Sequence, residues 1–194
     1  MNSAVIAQDR SASAAPPEGA VPGFAELIER NAARSPSPDW LADLRLAGAM
    51  RLAATGLPGA KDEEWRFTPV APIGATVWTD AAPTDPAAVD THQLDALRFD
   101  RSWPTVVMLD GRFDATRSSL DGLPEGVVVE PLARAIAAGR PAAIQHLGRT
   151  ADADQTPFTA LSLATFADGL FLHVPDGVVL DQPVHFLHVT TDAS

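Results

Sequence analysis

The sequence predicts an α+β chain: a helical pair first, then mixed strands and short helices, then a closing run of short strands. Three observations predict it. Between residues 22 and 55 apolar residues recur at helical spacing, interrupted by Ser35-Pro36-Ser37-Pro38 and closed by Gly56-Leu57-Pro58. From Thr105 a β-rich run meets Asp110-Gly111, a pair suited to a two-residue hairpin. After Gly169, short apolar runs are separated by Pro175-Asp176-Gly177 and Asp181-Gln182. Short strands broken by tight turns fit either a sheet or the first coil of a β-solenoid.

The elements follow in order. Residues 1–21 are rich in Ala, Ser and Pro without periodicity, which predicts a flexible arm. A first helix is expected over 22–34, with Phe24, Leu27 and Ile28 as an i, i+3, i+4 stripe and Glu26 and Arg30 paired outside it. A second helix starts with Ser37 as cap, Pro38 at its first position and Asp39 at the positive end of its dipole. Trp40, Leu41, Leu44, Ala47 and Met50 are expected to share its buried face, and Gly56 to end it. The pair reads as packing on its own domain, with a partner-binding groove as the alternative.

Residues 70–91, with Pro72, Gly74, Pro83 and Pro86, read as a loop in which Val77 and Trp78 form a short strand or a packing plug. Three consecutive valines in 126–130 predict a buried strand. Short helices are expected over 131–138 and 141–147, stopped by Gly139 and Gly148. A third, capped by Thr156 and opened by Pro157, carries Phe158, Leu161 and Ala164. Strands are expected over 170–174, 178–180 and 183–190. The domain reading is an arm at 1–21, an α+β domain with the helical pair at 22–168, and a strand-rich core beginning at 169–194.

Composition removes several function classes. The 194 residues are 46% hydrophobic, enough for a globular core, and their formal net charge of −11 disfavours nucleic acid and anionic membrane surfaces as partners. The absence of cysteine excludes disulfides, zinc–thiolate sites and thiolate-held iron–sulfur clusters within these residues. The first residues lack an apolar h-region, and no apolar run approaches the ~20 residues that span a bilayer, so a cytoplasmic protein is expected.

Candidate chemistry is sparse. Lys61 to Val70 sets opposite charges beside two aromatics. In an extended segment Trp65 and Phe67 would share one face and Glu64 and Arg66 the other, with Pro69 holding Thr68 extended. It reads as a structural hinge. Asp62, Glu63 and Glu64 have no base, metal cluster or nucleophile beside them in sequence. His173, His185 and His188, with Asp176 and Asp181, could suggest a metal site. His185 and His188 are three apart, however, and an extended strand points them to opposite faces. Ser118-Ser119 lies outside any nucleophile elbow and reads as a turn or cap, and Asp110-Gly111 as a hairpin turn. Phosphate-cradling motifs are absent from the sequence, so no ATPase activity is expected. No catalytic, cofactor-binding or metal residue is assigned.

Three stretches, in order, resemble the SufB/SufD family of iron–sulfur cluster assembly proteins. The first is Gly56-Leu57-Pro58 followed by Lys61-Asp62-Glu63-Glu64-Trp65-Arg66-Phe67-Thr68-Pro69, which is most similar to the SufD members. The second is Val106-Val107-Met108-Leu109-Asp110-Gly111-Arg112-Phe113, with Ser118 and Leu120. The third runs from Phe158-Thr159-Ala160-Leu161-Ser162-Leu163-Ala164 through Asp168-Gly169 to Val174-Pro175-Asp176-Gly177. The resemblance implies an N-terminal helical domain leading into the first coil of a right-handed parallel β-helix over 169–194, in a chain that is the N-terminal part of a longer protein. It also implies a non-catalytic scaffold subunit of a SufBCD complex, with SufB-like and SufC-like (ABC ATPase) partners. Iron–sulfur clusters and ATP would be handled by those partners, with no cofactor in this chain. Two other readings stand beside it. One is a β-solenoid hydrolase using Asp176 and Asp181 as acid and base; the other is an adaptor domain without a cluster role.

Overall fold

A computed structural model describes residues 22–34, 37–78, 85, 89–151, 153–154 and 156–191. The predicted arm at 1–21 lies outside them. Two helices open the described chain, α1 (Pro22–Arg34) and α2 (Asp39–Thr55). After a 3₁₀ turn at Glu63–Trp65 come α3 (Ala71–Ala75) and α4 (Thr91–Leu97). Then follow β1 (Thr105–Leu109), β2 (Arg112–Phe113), β3 (Val128–Pro131), α5 (Leu132–Ala137), α6 (Pro141–His146), α7 (Pro157–Thr165), β4 (Leu170–His173) and β5 (His185–Val189). The chain is therefore α+β.

The helical unit is closed by a distant segment. Phe24 of α1, Leu52 of α2 and Ala160 of α7 are buried together, with Leu27, Ile28 and Ile73 packed around them. α7 starts where its sequence signal places it: Thr156 Oγ1 accepts from the Thr159 amide at 3.1 Å, and Pro157 takes the first turn. The α2–α7 contact is close because Gly48 has no side chain. A Cβ there would sit 2.9 Å from both the Ala160 carbonyl oxygen and the Ala164 nitrogen.

The two sheets are small. In the first, β1 lies between β2, antiparallel to it, and β5, parallel to it, in the order β2-β1-β5. Every residue of β1 is buried. Asp110 (φ 46°) and Gly111 (φ 78°) make the left-handed turn to β2 that the sequence predicts. The Asp110 carboxylate also accepts from the Thr191 amide at 2.8 Å and its hydroxyl at 2.9 Å, fastening the end of β5. Leu94 of α4 packs on Val107, Leu109 and Leu187. In the second sheet β3 pairs antiparallel with β4, and Phe171 packs on Ala135 and Ala143 of α5 and α6.

The loop after β2 is built on Asp114. Its Oδ1 accepts from the Thr116 hydroxyl (2.6 Å), the Thr116 amide (2.9 Å) and the Arg117 amide (3.1 Å), and its Oδ2 from Arg117 Nη1 (2.7 Å). The Ser118 hydroxyl donates to the Asp114 carbonyl at 2.6 Å and accepts from the Val107 amide at 2.9 Å. The loop thus completes the β1 ladder where β2 stops.

Several expectations are corrected. Residues 61–70 are not extended: Trp65 N donates to the Asp62 carbonyl and Thr68 N to that of Trp65, so turn bonds satisfy the backbone locally. Trp65 and Phe67 therefore part company. Trp65 packs on Phe158 with the rings tilted by 38° and 5.1 Å apart, whereas Phe67 is 88% exposed under the Arg66 guanidinium. Within the expected loop at 70–91, α3 forms, and α4 begins where Asp90 Oδ1 caps the His92 amide at 2.8 Å. Trp78 forms no strand and is 40% exposed, stacked on Phe24 with its indole N–H on the Ile73 carbonyl. α2 begins one residue late, after Pro38, and buries Leu41, Gly48 and Leu52 while Ala47 and Met50 face solvent. The valines at 127–129 are half-buried; Val128 and Val129 join an antiparallel pair, while Val127 N closes a turn onto the Pro124 carbonyl. Residues 178–180 form no strand: Val178 N closes a turn onto the Pro175 carbonyl and Val179 is exposed. The two closing strands, whose partners the sequence leaves open, pair with β3 and β1.

Two outcomes are expected. Gly48→Ala drives a methyl into the α7 backbone, and this overpacking outweighs the better helix propensity of alanine. A loss of roughly 1–3 kcal/mol, read as a lower Tm in thermal melts, is expected; an unchanged or raised Tm contradicts the close approach. At Asp114, burial raises the carboxyl pKa, but the bonds from Thr116 and Arg117 outweigh it and leave the pKa below its ordinary value. A depressed folded pKa contributes stability above the unfolded value near ~4, and that contribution is lost as pH falls through the folded value. Asp114→Asn should cost roughly 1–3 kcal/mol at pH 7, with the gap to wild type closing in urea melts below about pH 4. A gap that is constant with pH rules this out.

Candidate functional site

The groups that sequence reading singled out do not converge. Asp62, Glu63 and Glu64 are all exposed on the 3₁₀ turn, where Asp62 Oδ2 accepts from the Gly59 amide at 2.7 Å. Beside them an open cavity of about 500 Å³ is lined by Leu57, Pro58, Trp65, Asp154 and Pro157 among others. Asp154 is engaged there by Arg51 at 2.9 Å. This is a turn over an aromatic contact, and the Thr55 hydroxyl that also lines the cavity donates to the Arg51 carbonyl at 3.0 Å.

The histidines are divided between the sheets. His173 lies on β4, its ring parallel to Phe171 at 6.1 Å. His185 and His188 lie on β5, whose alternation turns His185 inward with Leu187 and Val189 and leaves His188 exposed. His185 Nδ1 faces the Phe99 amide at 3.5 Å. Asp176 and Asp181 are exposed in turns. Among the described residues no group of three or more His, Asp or Glu could hold a metal ion. Ser118 clamps β1, Ser119 bridges to Thr105, and Asp110 fastens β5. Among the described residues no helix is long and apolar enough to cross a membrane.

Sequence reading missed Arg45. Leu41, Arg45, Gly48 and Leu52 follow i, i+4, i+7, i+11, so the arginine falls within the buried stripe of α2. Its Nη1 donates to the Ser37 hydroxyl at 2.6 Å and its Nη2 to the Phe166 carbonyl at 3.0 Å, just past the end of α7. The guanidinium also lies 5.0 Å from the Phe166 ring centroid. Its Nε is buried without a hydrogen-bond partner, and burial lowers its pKa. None of these partners carries a formal charge; the negative end of the α7 dipole offsets part of the cation. The spacing alone could have revealed it, since one arginine interrupts an otherwise small and apolar stripe.

The comparisons with known proteins agree with one another. The family described as "SufBD protein N-terminal region" matches residues 24–186. This span takes in the helical unit and both sheets up to the start of β5. Among curated proteins, the chain is similar to an iron-sulfur cluster assembly SufBD family protein of Synechocystis, 26% identical over 152 residues. That alignment covers 77% of this chain and 32% of the relative, so the chain spans about a third of the length of the protein it matches. The chain belongs to the SufB/SufD family of iron–sulfur cluster assembly proteins, whose N-terminal region it matches.

Proposed function

We propose that this chain is part of a non-catalytic scaffold subunit, of the SufD kind, in a cytoplasmic SufBCD-type complex that assembles iron–sulfur clusters. The observation that carries this reading is the family match across residues 24–186. The placement of the candidate chemical groups supports a role without catalysis of its own. Ser118, Asp110 and Asp114 are engaged in holding the fold, while Asp62, Glu63, Glu64, Asp176 and Asp181 lie on the surface. A chain without cysteine holds no thiolate-bound cluster in these residues, so cluster and nucleotide belong to partners: a SufB-like protein and a SufC-like ABC ATPase. The run Lys61–Pro69 after Gly56-Leu57-Pro58 favours SufD over SufB. The parallel β1–β5 pair, with β5 at the edge of its described sheet, supports a core that continues as a parallel β-helix.

The test is affinity purification of the tagged natural protein from its own cells, with mass spectrometry of bait and prey. Copurification of a SufB-like protein and an ABC ATPase is expected. A bait recovered repeatedly with neither partner, under conditions that preserve other assemblies, overturns the reading.

A further inference from the structure

α1 and α2 leave a groove between them. It encloses about 200 Å³ and is lined by Ile28, Ala32, Ala42, Arg45, Leu46 and Ala49, among others. Leu46 is 58% exposed and Met50, one turn further along α2, is 65% exposed, so an apolar strip extends from the groove across the outer face of the helix. Small-molecule sites usually enclose roughly 300–1,000 Å³, and this groove is smaller. It suits a side-chain anchor on a polypeptide better than a free ligand.

We propose that this groove docks an amphipathic helix of a protein partner, which brings apolar anchors and one carboxylate that pairs with Arg45. The anchors would follow the i, i+3 or i+4, i+7 spacing with which helices enter grooves. The carboxylate follows from charge. Arg45 lies in a largely apolar lining, its three partners are uncharged, and Nη1 and Nη2, each bonded once, keep a further N–H apiece for an incoming acceptor. A carboxylate takes a bidentate pair of guanidinium donors, which a neutral side chain cannot match. A second copy of this chain is a poorer occupant, because each copy carries a formal net charge of −11 and the two repel. The proposal rests on α2 and not on the family assignment, so its test and the copurification are read separately.

The test is a display library of helical peptides on a fixed scaffold, one face randomised, selected on the purified natural protein. Enriched peptides are expected to carry apolar residues at helical spacing beside an Asp or Glu. Leu46→Asp should abolish their binding. Arg45→Met, and replacement of the peptide's acid by its amide, should each weaken binding about tenfold or more, and the two losses should not add. Circular dichroism of the variants separates lost docking from lost folding. If Arg45→Met loses helicity, the acid-to-amide change still reads the ion pair on the unaltered chain. Failure of any peptide to enrich overturns the proposal, as does enrichment of peptides without an acid or of peptides indifferent to Leu46→Asp. Self-association that Leu46→Asp reverses in sedimentation would make a second copy the occupant and overturn it too.

Discussion

Much of this fold depends on one strand. β1 is buried along its whole length, so each of its backbone donors and acceptors needs a protein partner. No single neighbour supplies them. β2 is only two residues long and covers one end, the Ser118 hydroxyl takes the Val107 amide, and Ser119 exchanges two bonds with Thr105. β5 covers the other side over the full length of the strand. The order β2-β1-β5 follows from this need: the hairpin and its loop complete one side locally, and a strand some eighty residues later completes the other. That parallel pair requires a long crossover, and β3, the helices α5 to α7 and β4 lie within it.

The same crossover ties the helical unit to the rest. α7 leaves the region of the sheets, packs across Gly48 of α2, and hands the chain to β4. A glycine inside a helix costs about 1 kcal/mol of propensity relative to alanine, and here it permits a backbone approach that a methyl would block. Arg45, one turn before Gly48 on the same stripe, reaches the carbonyl just past the end of α7. The α1–α2 pair is thus completed by residues more than a hundred positions away and is not an independent hairpin.

Local signals were legible in the sequence and remote ones were not. Asp110-Gly111, Thr156-Pro157 and Gly56 each specify a backbone conformation through their own chemistry, and each stands where it was expected. The Asp90 cap of α4 was equally local but was passed over among the prolines around it. The face of α2 was misjudged because hydrophobicity favours Met50 over Gly48, whereas the burial of Gly48 is decided by α7, which helical periodicity within α2 does not contain. The partners of the closing strands were not legible in the sequence. Pairing is a non-local choice, and β1 and β3 already offered edges. At the candidate sites, strand alternation alone separated His185 from His188, but the remoteness of His173 required the sheet topology.

The stretches that carry the family likeness hold the structure together. Trp65 in the first packs on Phe158 in the third; the second is β1 with its hairpin, clamped by Ser118; Asp168 accepts from the Ala133 amide at the start of α5. Side chains in such positions report the fold, because changing them leaves a cavity or an unpaired polar group. On the scaffold role proposed above, function lies instead in what the fold leaves uncovered, and there packing imposes fewer limits on residue type. Family likeness can therefore be strong in the turns and the core while the proposed docking face rests on a few exposed side chains of one helix. Leu46 and Met50 are of that kind, since the fold gains little from leaving two large apolar side chains in water. Arg45 stands between the two classes: one side of its guanidinium holds α7 in place, while its charge lies beside an apolar groove where a partner's carboxylate could compensate it.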